Sequence, residues 1–244
     1  MKERILENHQ AIAICVTVMV AHIILNVPNY LINLTASATL LNFVYIFAIM
    51  LAILWLVTKF FKVFPGCDVI DICEYVGGKI PKKIYSILLF VYLLVISSFV
   101  IRIFSDSLIA MYFPNIDPEI VILIFIFLTV LVNLLGFKSI ARTCAILLPV
   151  ILVTLVVVFV SSSSAFTPER ALPILGNGIN TTFFKGLSNI YAFSGILIVT
   201  MVAPFINSGN RMRKITFISF ILYSLCLFTA TVSLLFLFPY SRRY

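Results

Sequence analysis

The sequence predicts an all-α integral membrane protein with about seven transmembrane helices. Three observations lead there. First, 62% of its 244 residues are hydrophobic and only 11% are charged, with a mean hydropathy of +1.18. Soluble domains carry about a quarter charged residues, and no soluble fold has the interior to hide so much apolar surface. Second, the apolar residues fall into runs long enough to cross a bilayer, which takes about 20 helical residues. Third, the basic residues gather in alternate connections between those runs, as membrane topology demands.

The expected spans are 10–33, 39–57, 84–112, 119–136, 140–160, 187–206 and 215–238. The first follows Lys2 and Arg4 and imitates a signal peptide, with Ala36-Ser37-Ala38 as a small-residue cleavage pattern. That site lies well past the end of the apolar run at Leu25, and further spans follow, so an uncleaved first helix is expected. The first, fifth and sixth spans are interrupted, by Pro28, by Pro149, and by Gly195 with Pro204. Proline is tolerated in a span only where neighbours re-satisfy the freed carbonyls. Between the second and third spans, "DVIDICEYVGG" alternates apolar and acidic residues. It is expected to form a short amphipathic helix at the membrane surface, ended by Gly77-Gly78. The four serines at 161–164 read as a helix end. The stretch "ERALPILGNGI" joins the fifth and sixth spans, with Pro173 to stiffen it and Gly176 and Gly178 to turn it, so an ordered loop is expected.

Charge sets the topology. With the N-terminus cytoplasmic, the inner segments hold Lys2, Arg4, Lys59, Lys62, Lys79, Lys82, Lys83, Lys138, Arg142, Arg211, Arg213 and Lys214. The outer ones hold Arg170, Lys185, Arg242 and Arg243, and Arg102 alone lies within a span. This asymmetry orients the chain and accounts for the net charge of +8 with no nucleic acid partner.

Nothing points to an enzyme. The sequence has no G-x-S-x-G, H-E-x-x-H or phosphate loop. Its two histidines make no metal site with a nearby cysteine or carboxylate. Cys15, Cys144 and Cys226 sit in apolar runs as small hydrophobes, and Cys67 and Cys73 lack the spacing of a redox or zinc pair. No cofactor, metal or catalytic residue is expected.

The candidate site residues lie inside spans. Arg102 and Asp106 share a helix face, either as an ion pair that ties helices together or as a pair facing a polar cavity. Ala21-His22-Ile23 sits in the middle of the first span, where His22 is either a packing residue or a cavity lining. Phe193-Ser194-Gly195 marks a weak point in the sixth span, through local unwinding or a close helix contact. The two weak points occupy matching places in two halves of the chain, and each is followed by proline. Interrupted helices so placed point to a transporter-type site at the bilayer midplane, where exposed helix-end N–H groups can hold a carboxylate. Ser97 and Ser98 would flank such a site or bond to their own helix backbone.

Four stretches carry a family resemblance: "FPGCDVIDICEYVGGKIPKKI", "SSFVIRIF", "RALPILGNGI" and "QAIAICVTVMVAHIILNVP". Together they resemble the spore germination permeases, the membrane B subunits of nutrient germinant receptors in endospore-forming bacteria. These are similar to amino acid permeases of the amino acid–polyamine–organocation superfamily. The resemblance implies a LeuT-like bundle of two inverted five-helix repeats. On that plan one membrane domain covers 1–244: residues 1–160 form the first repeat, 161–186 an outer loop, and 187–244 the first two helices of the second. The chain is thus expected to be C-terminally truncated, lacking the last helices of the bundle. Three positions depart from the family pattern. Ala21-His22-Ile23 stands where Gly-x-Gly is common, Ile196-Leu197 follows Gly195 where an acidic residue is common, and no glutamate adjoins Arg102.

The implied function is a receptor subunit in the inner membrane of the spore. It would bind a small nutrient such as an amino acid, at Ala21, His22, Ile23, Ser97, Ser98, Phe193, Ser194 and Gly195. Its further partners would be the other receptor subunits and the lipid bilayer. Two other readings stay open: a secondary active amino acid transporter, and a non-functional fragment.

Overall fold

The structure, a computed structural model, describes residues 6–24, 27–64, 66–112, 115–176, 178–206 and 209–238, and excludes the side chains of 22–24. The described residues are helical, with no strand among them. The helices are α1 (Asn8–Ile24), α2 (Val27–Thr35), α3 (Thr39–Val63), α4 (Val69–Gly77), α5 (Lys79–Tyr112), α6 (Pro118–Leu134), α7 (Phe137–Ser162), α8 (Leu197–Val202) and α9 (Gly209–Leu237). Short 3-10 turns at Ser163–Ala165 and Pro168–Ala171 follow α7. A π turn at Asn180–Phe184 and a 3-10 helix at Lys185–Ile196 precede α8.

Among the described residues, five segments are long and apolar enough to cross a membrane: Val27–Val63, Lys79–Tyr112, Phe137–Ala165, Asn180–Phe205 and Gly209–Leu237. Asn8–Ala21 and Pro118–Leu134 are shorter apolar helices. The fold is that of an all-α, multi-pass membrane protein.

Local chemistry sets the boundaries. Asp68 caps α4 by accepting a bond from Asp71 N–H at 2.7 Å, which satisfies one of the free amides of its first turn. Gly78, at φ 81°, ends α4 in a conformation that a side chain would disfavour. Pro118 opens α6, where a missing N–H costs nothing. The expected first span is covered by α1 and α2, and Pro28 sits in the first turn of α2. The expected fifth span differs: Pro149 lies inside an unbroken α7. The helix runs on through it, as membrane helices can when local adjustments and neighbouring groups re-satisfy the freed carbonyl.

The core is built from α1, α2, α3, α9 and the 185–206 segment, with Ala141 and Cys144 of α7 closing one side. Phe193 is its aromatic centre, against Phe43, Phe220 and Tyr223 with centroids at 6.0, 5.3 and 5.7 Å. By contrast, α5 packs chiefly on α4 and α6, and its apolar side chains remain largely exposed, as a lipid-facing helix requires.

The bundle has two chemically distinct ends. At one, residues 35–42, the 163–182 loop and the C-terminus of α9 meet. At the other, Leu6 N–H donates to Phe205 O at 3.2 Å, Phe137 stacks on Phe205 at 4.5 Å, and Phe64 meets Tyr75 at 5.3 Å. Lys59, Lys62, Lys138, Arg211 and the lysines that open α5 belong to this second end. Arg170 and Lys185 belong to the first.

Candidate functional site

The first and sixth spans lie side by side, and the sixth is irregular. The 185–196 helix packs against both α1 and α2, and Tyr30 of α2 meets Tyr191 edge-on at 4.9 Å. The sixth span departs from α-geometry further than expected. It runs as a π turn, then twelve residues of 3-10 helix, and becomes α-helical only at Leu197, just past Gly195. A 3-10 run of that length is unusual and marks strain or a hinge. Its backbone needs outside partners, and it has one. Tyr223 Oη of α9 donates to the carbonyl of Ala192, both residues being buried. With no water in the core, a neighbouring hydroxyl satisfies what the distorted ladder leaves open.

A buried polar ladder runs beside this segment. Asn189 Nδ2 donates to Asn42 Oδ1 at 2.6 Å, and Asn42 Nδ2 donates to Thr182 O at 2.7 Å. Thr182 Oγ1 then lies 3.0 Å from Gly178 O and 3.1 Å from Leu175 O. The side chains of Asn42, Asn189 and Thr182 are essentially inaccessible. Asn189 Oδ1 is a buried acceptor with no hydrogen-bond partner among the described residues. Gly186 makes room for the ladder: a Cβ there would stand 2.3 Å from Asn42 Nδ2.

The loop "ERALPILGNGI" caps this end as an ordered brace. The carbonyl of Phe236, at the C-terminus of α9, accepts from Arg170 Nη1 at 2.8 Å and from Thr167 N–H and Oγ1, each at 3.2 Å. Ser37 Oγ donates to Pro173 O at 2.7 Å. Gly176, at φ 53°, sits so close to the α2–α3 corner that a Cβ would lie 2.8 Å from Thr35 O. The loop thus ties the end of α9 to the corner between α2 and α3.

The structure brings some of the expected site residues together and not others. Ala21, Phe193, Ser194 and Gly195 belong to these two adjacent spans, with Phe193 buried and the other three partly so. The backbone of His22 and Ile23 is in the last turn of α1, while their side chains lie outside the described residues. Ser97 and Ser98 are exposed on α5 and donate to Leu93 O and Leu94 O at 2.7 and 2.9 Å. They thus make the bonds to their own helix backbone that were one of the two readings. Arg102 Nε does pair with Asp106 Oδ2, at 3.0 Å. The pair is about half exposed on α5, which stands outside the core.

The sequence reading missed Asn42, Thr182, Gly186 and Asn189. The signal was present in "LLNFV" and "LSNIY", where single asparagines interrupt apolar runs. A polar group within a span needs a partner.

A family model described as spore germination protein, a permease family, matches residues 5–241. The chain belongs to the spore germination protein family. No curated protein and no solved structure matches it significantly. The match covers nearly the whole chain, including the first and sixth spans, the brace and the polar ladder. This spore germination protein is therefore a germination-related, permease-like membrane protein.

Proposed function

We propose that this spore germination protein is the permease-like subunit of a nutrient germinant receptor. On this reading a small nutrient, of the amino acid class, binds where α1–α2 and the 185–196 helix meet. The observation that carries it is the contact of α1 and α2 with the non-α backbone of the sixth span, since a helix that departs from α-geometry supplies the polar backbone that a midplane site needs. Ala21, His22, Ile23, Phe193, Ser194 and Gly195 are the proposed lining, and Asn189 Oδ1 is a nearby acceptor for an ammonium group. Ser97 and Ser98, on α5, would join only if α5 moves against the core.

Binding would shift a conformational equilibrium to the extent that the two states bind the nutrient differently. The short connections and long 3-10 run of the sixth span are the element suited to change shape. The gathering of lysines and arginines at one end favours a cytoplasmic N-terminus by the positive-inside rule. The location is the inner spore membrane, and the other receptor subunits are the partners to which the change is relayed.

The test uses spores carrying Gly195→Val or Ser194→Ala, with protein amount checked by immunoblot. The expected result is a germination response to a panel of amino acids that needs at least roughly tenfold more nutrient, about 1.4 kcal/mol of lost differential binding. An unchanged response in both variants would overturn the proposal. Uptake of labelled amino acids into vesicles separates the receptor from a secondary active transporter. Accumulation that collapses with the ion gradient would favour the transporter.

A further inference from the structure

We propose that the corner between α4 and α5 is a headgroup site for an anionic phospholipid. A groove of about 430 Å³ opens there, lined by Glu74, Lys79, Lys82, Lys83, Ser86 and Ile87. Glu74 and Lys82 form an ion pair across it, which holds α4 against the first turns of α5. The pair neutralises one lysine. Lys79 and Lys83 remain, one helical turn apart on the same face, with no carboxylate partner among the described residues. Asp68 and Asp71 are nearer the start of α4, where Asp68 serves as its cap, and neither lines the groove. The groove therefore presents two uncompensated positive charges.

The position of the groove at the start of α5 argues for a lipid over a soluble anion. At 34 residues, α5 is about 51 Å long, against a hydrocarbon core of about 30 Å. Its first one or two turns, which carry all three lysines, thus stand at headgroup level. Past them Ile87 closes the apolar side of the groove, and Ile84, one turn after Ile80, is exposed beside it on α5. A free phosphate has no use for that wall. A phospholipid places its phosphate between Lys79 and Lys83 and its acyl chain along Ile84 and Ile87. Basic pockets at the ends of membrane helices bind anionic headgroups by this combination.

The experiment uses the full chain in detergent, titrated with phosphatidylglycerol or phosphatidylcholine. Retained lipid is counted by native mass spectrometry, and the thermal midpoint is followed in parallel. Phosphatidylglycerol should be retained and raise the midpoint, and phosphatidylcholine should do neither. Lys79→Gln with Lys83→Gln should weaken retention roughly tenfold or more. Lys79→Arg with Lys83→Arg should keep it, which separates lost charge from lost folding. Lys59→Gln, which removes a basic residue at the same end of the bundle but outside the groove, should leave retention unchanged. Inorganic phosphate at equal concentration should neither bind nor compete. Equal retention of both lipids, wild-type retention by the double glutamine variant, equal loss in Lys59→Gln, or competition by inorganic phosphate would each overturn the proposal.

Discussion

Asn42 on α3 and Asn189 on the sixth span meet through a 2.6 Å hydrogen bond, although 147 positions separate them in the chain. Both are 1% exposed, so neither can turn to water if the other is lost. Asn42→Leu removes an acceptor for Asn189 and a donor for Thr182 O. It should destabilise the protein by about 1–3 kcal/mol, the cost of stranding buried polar groups. Asn42→Leu with Asn189→Leu should cost less than the sum of the two single changes. Thermal unfolding of the four proteins in one detergent gives the coupling, and strict additivity would show that the two amides act independently.

Gly176 and Gly66 provide a matched pair. Both have positive φ, 53° and 80°, but a Cβ on Gly176 meets Thr35 O at 2.8 Å and Ala38 Cβ at 2.9 Å, whereas one on Gly66 meets nothing within 4 Å. Gly66→Ala should cost only the left-handed penalty of about 1–2 kcal/mol. Gly176→Ala should cost about 1–3 kcal/mol more, because backbone must shift to make room. Equal unfolding midpoints for the two variants would refute the close approach.

Arg170 donates to the last turn of α9, where a cation also complements the negative end of the helix dipole. Arg170→Met should cost about 1 kcal/mol, felt locally. Amide exchange in residues 163–171 and in the last turn of α9 should quicken about fivefold, while exchange in α1 stays the same. A uniform change across the chain would argue against a local brace.

Arg102 and Asp106 neutralise each other on a helix that faces lipid. Arg102→Leu leaves Asp106 without its counter-charge in an apolar surround, where a single charge is costly. Folded yield in membranes should fall roughly tenfold or more, and Arg102→Leu with Asp106→Leu should recover most of it. Equal yields from the single and double variants would mean that the charges do not act as a pair.

Several features were legible in the residues alone. The apolar runs gave helices because a chain in lipid must satisfy its backbone within each segment. Gly77-Gly78 marked the end of α4 through backbone conformation, which is a local effect. Gly195 flagged the irregular sixth span, though not the twelve-residue extent of its 3-10 run. Pro149 was misleading, because a proline in a membrane helix breaks it only when the surroundings fail to compensate.

What the sequence determined by itself was the membrane class, the positions of its helices, the sign of its two ends and the family's loop motifs. All of these depend on composition or on neighbours within a few residues. The tertiary structure alone decided that α5 stands outside the core and that Asn42, Thr182 and Asn189 form one ladder. The physical reason is the solvent. In water an apolar stripe announces which face of a helix is buried, but in lipid the exposed face is as apolar as the packed one. Hydrophobicity then places a helix in the bilayer without choosing its partners, and that choice falls to single polar groups and close glycine contacts between distant parts of the chain.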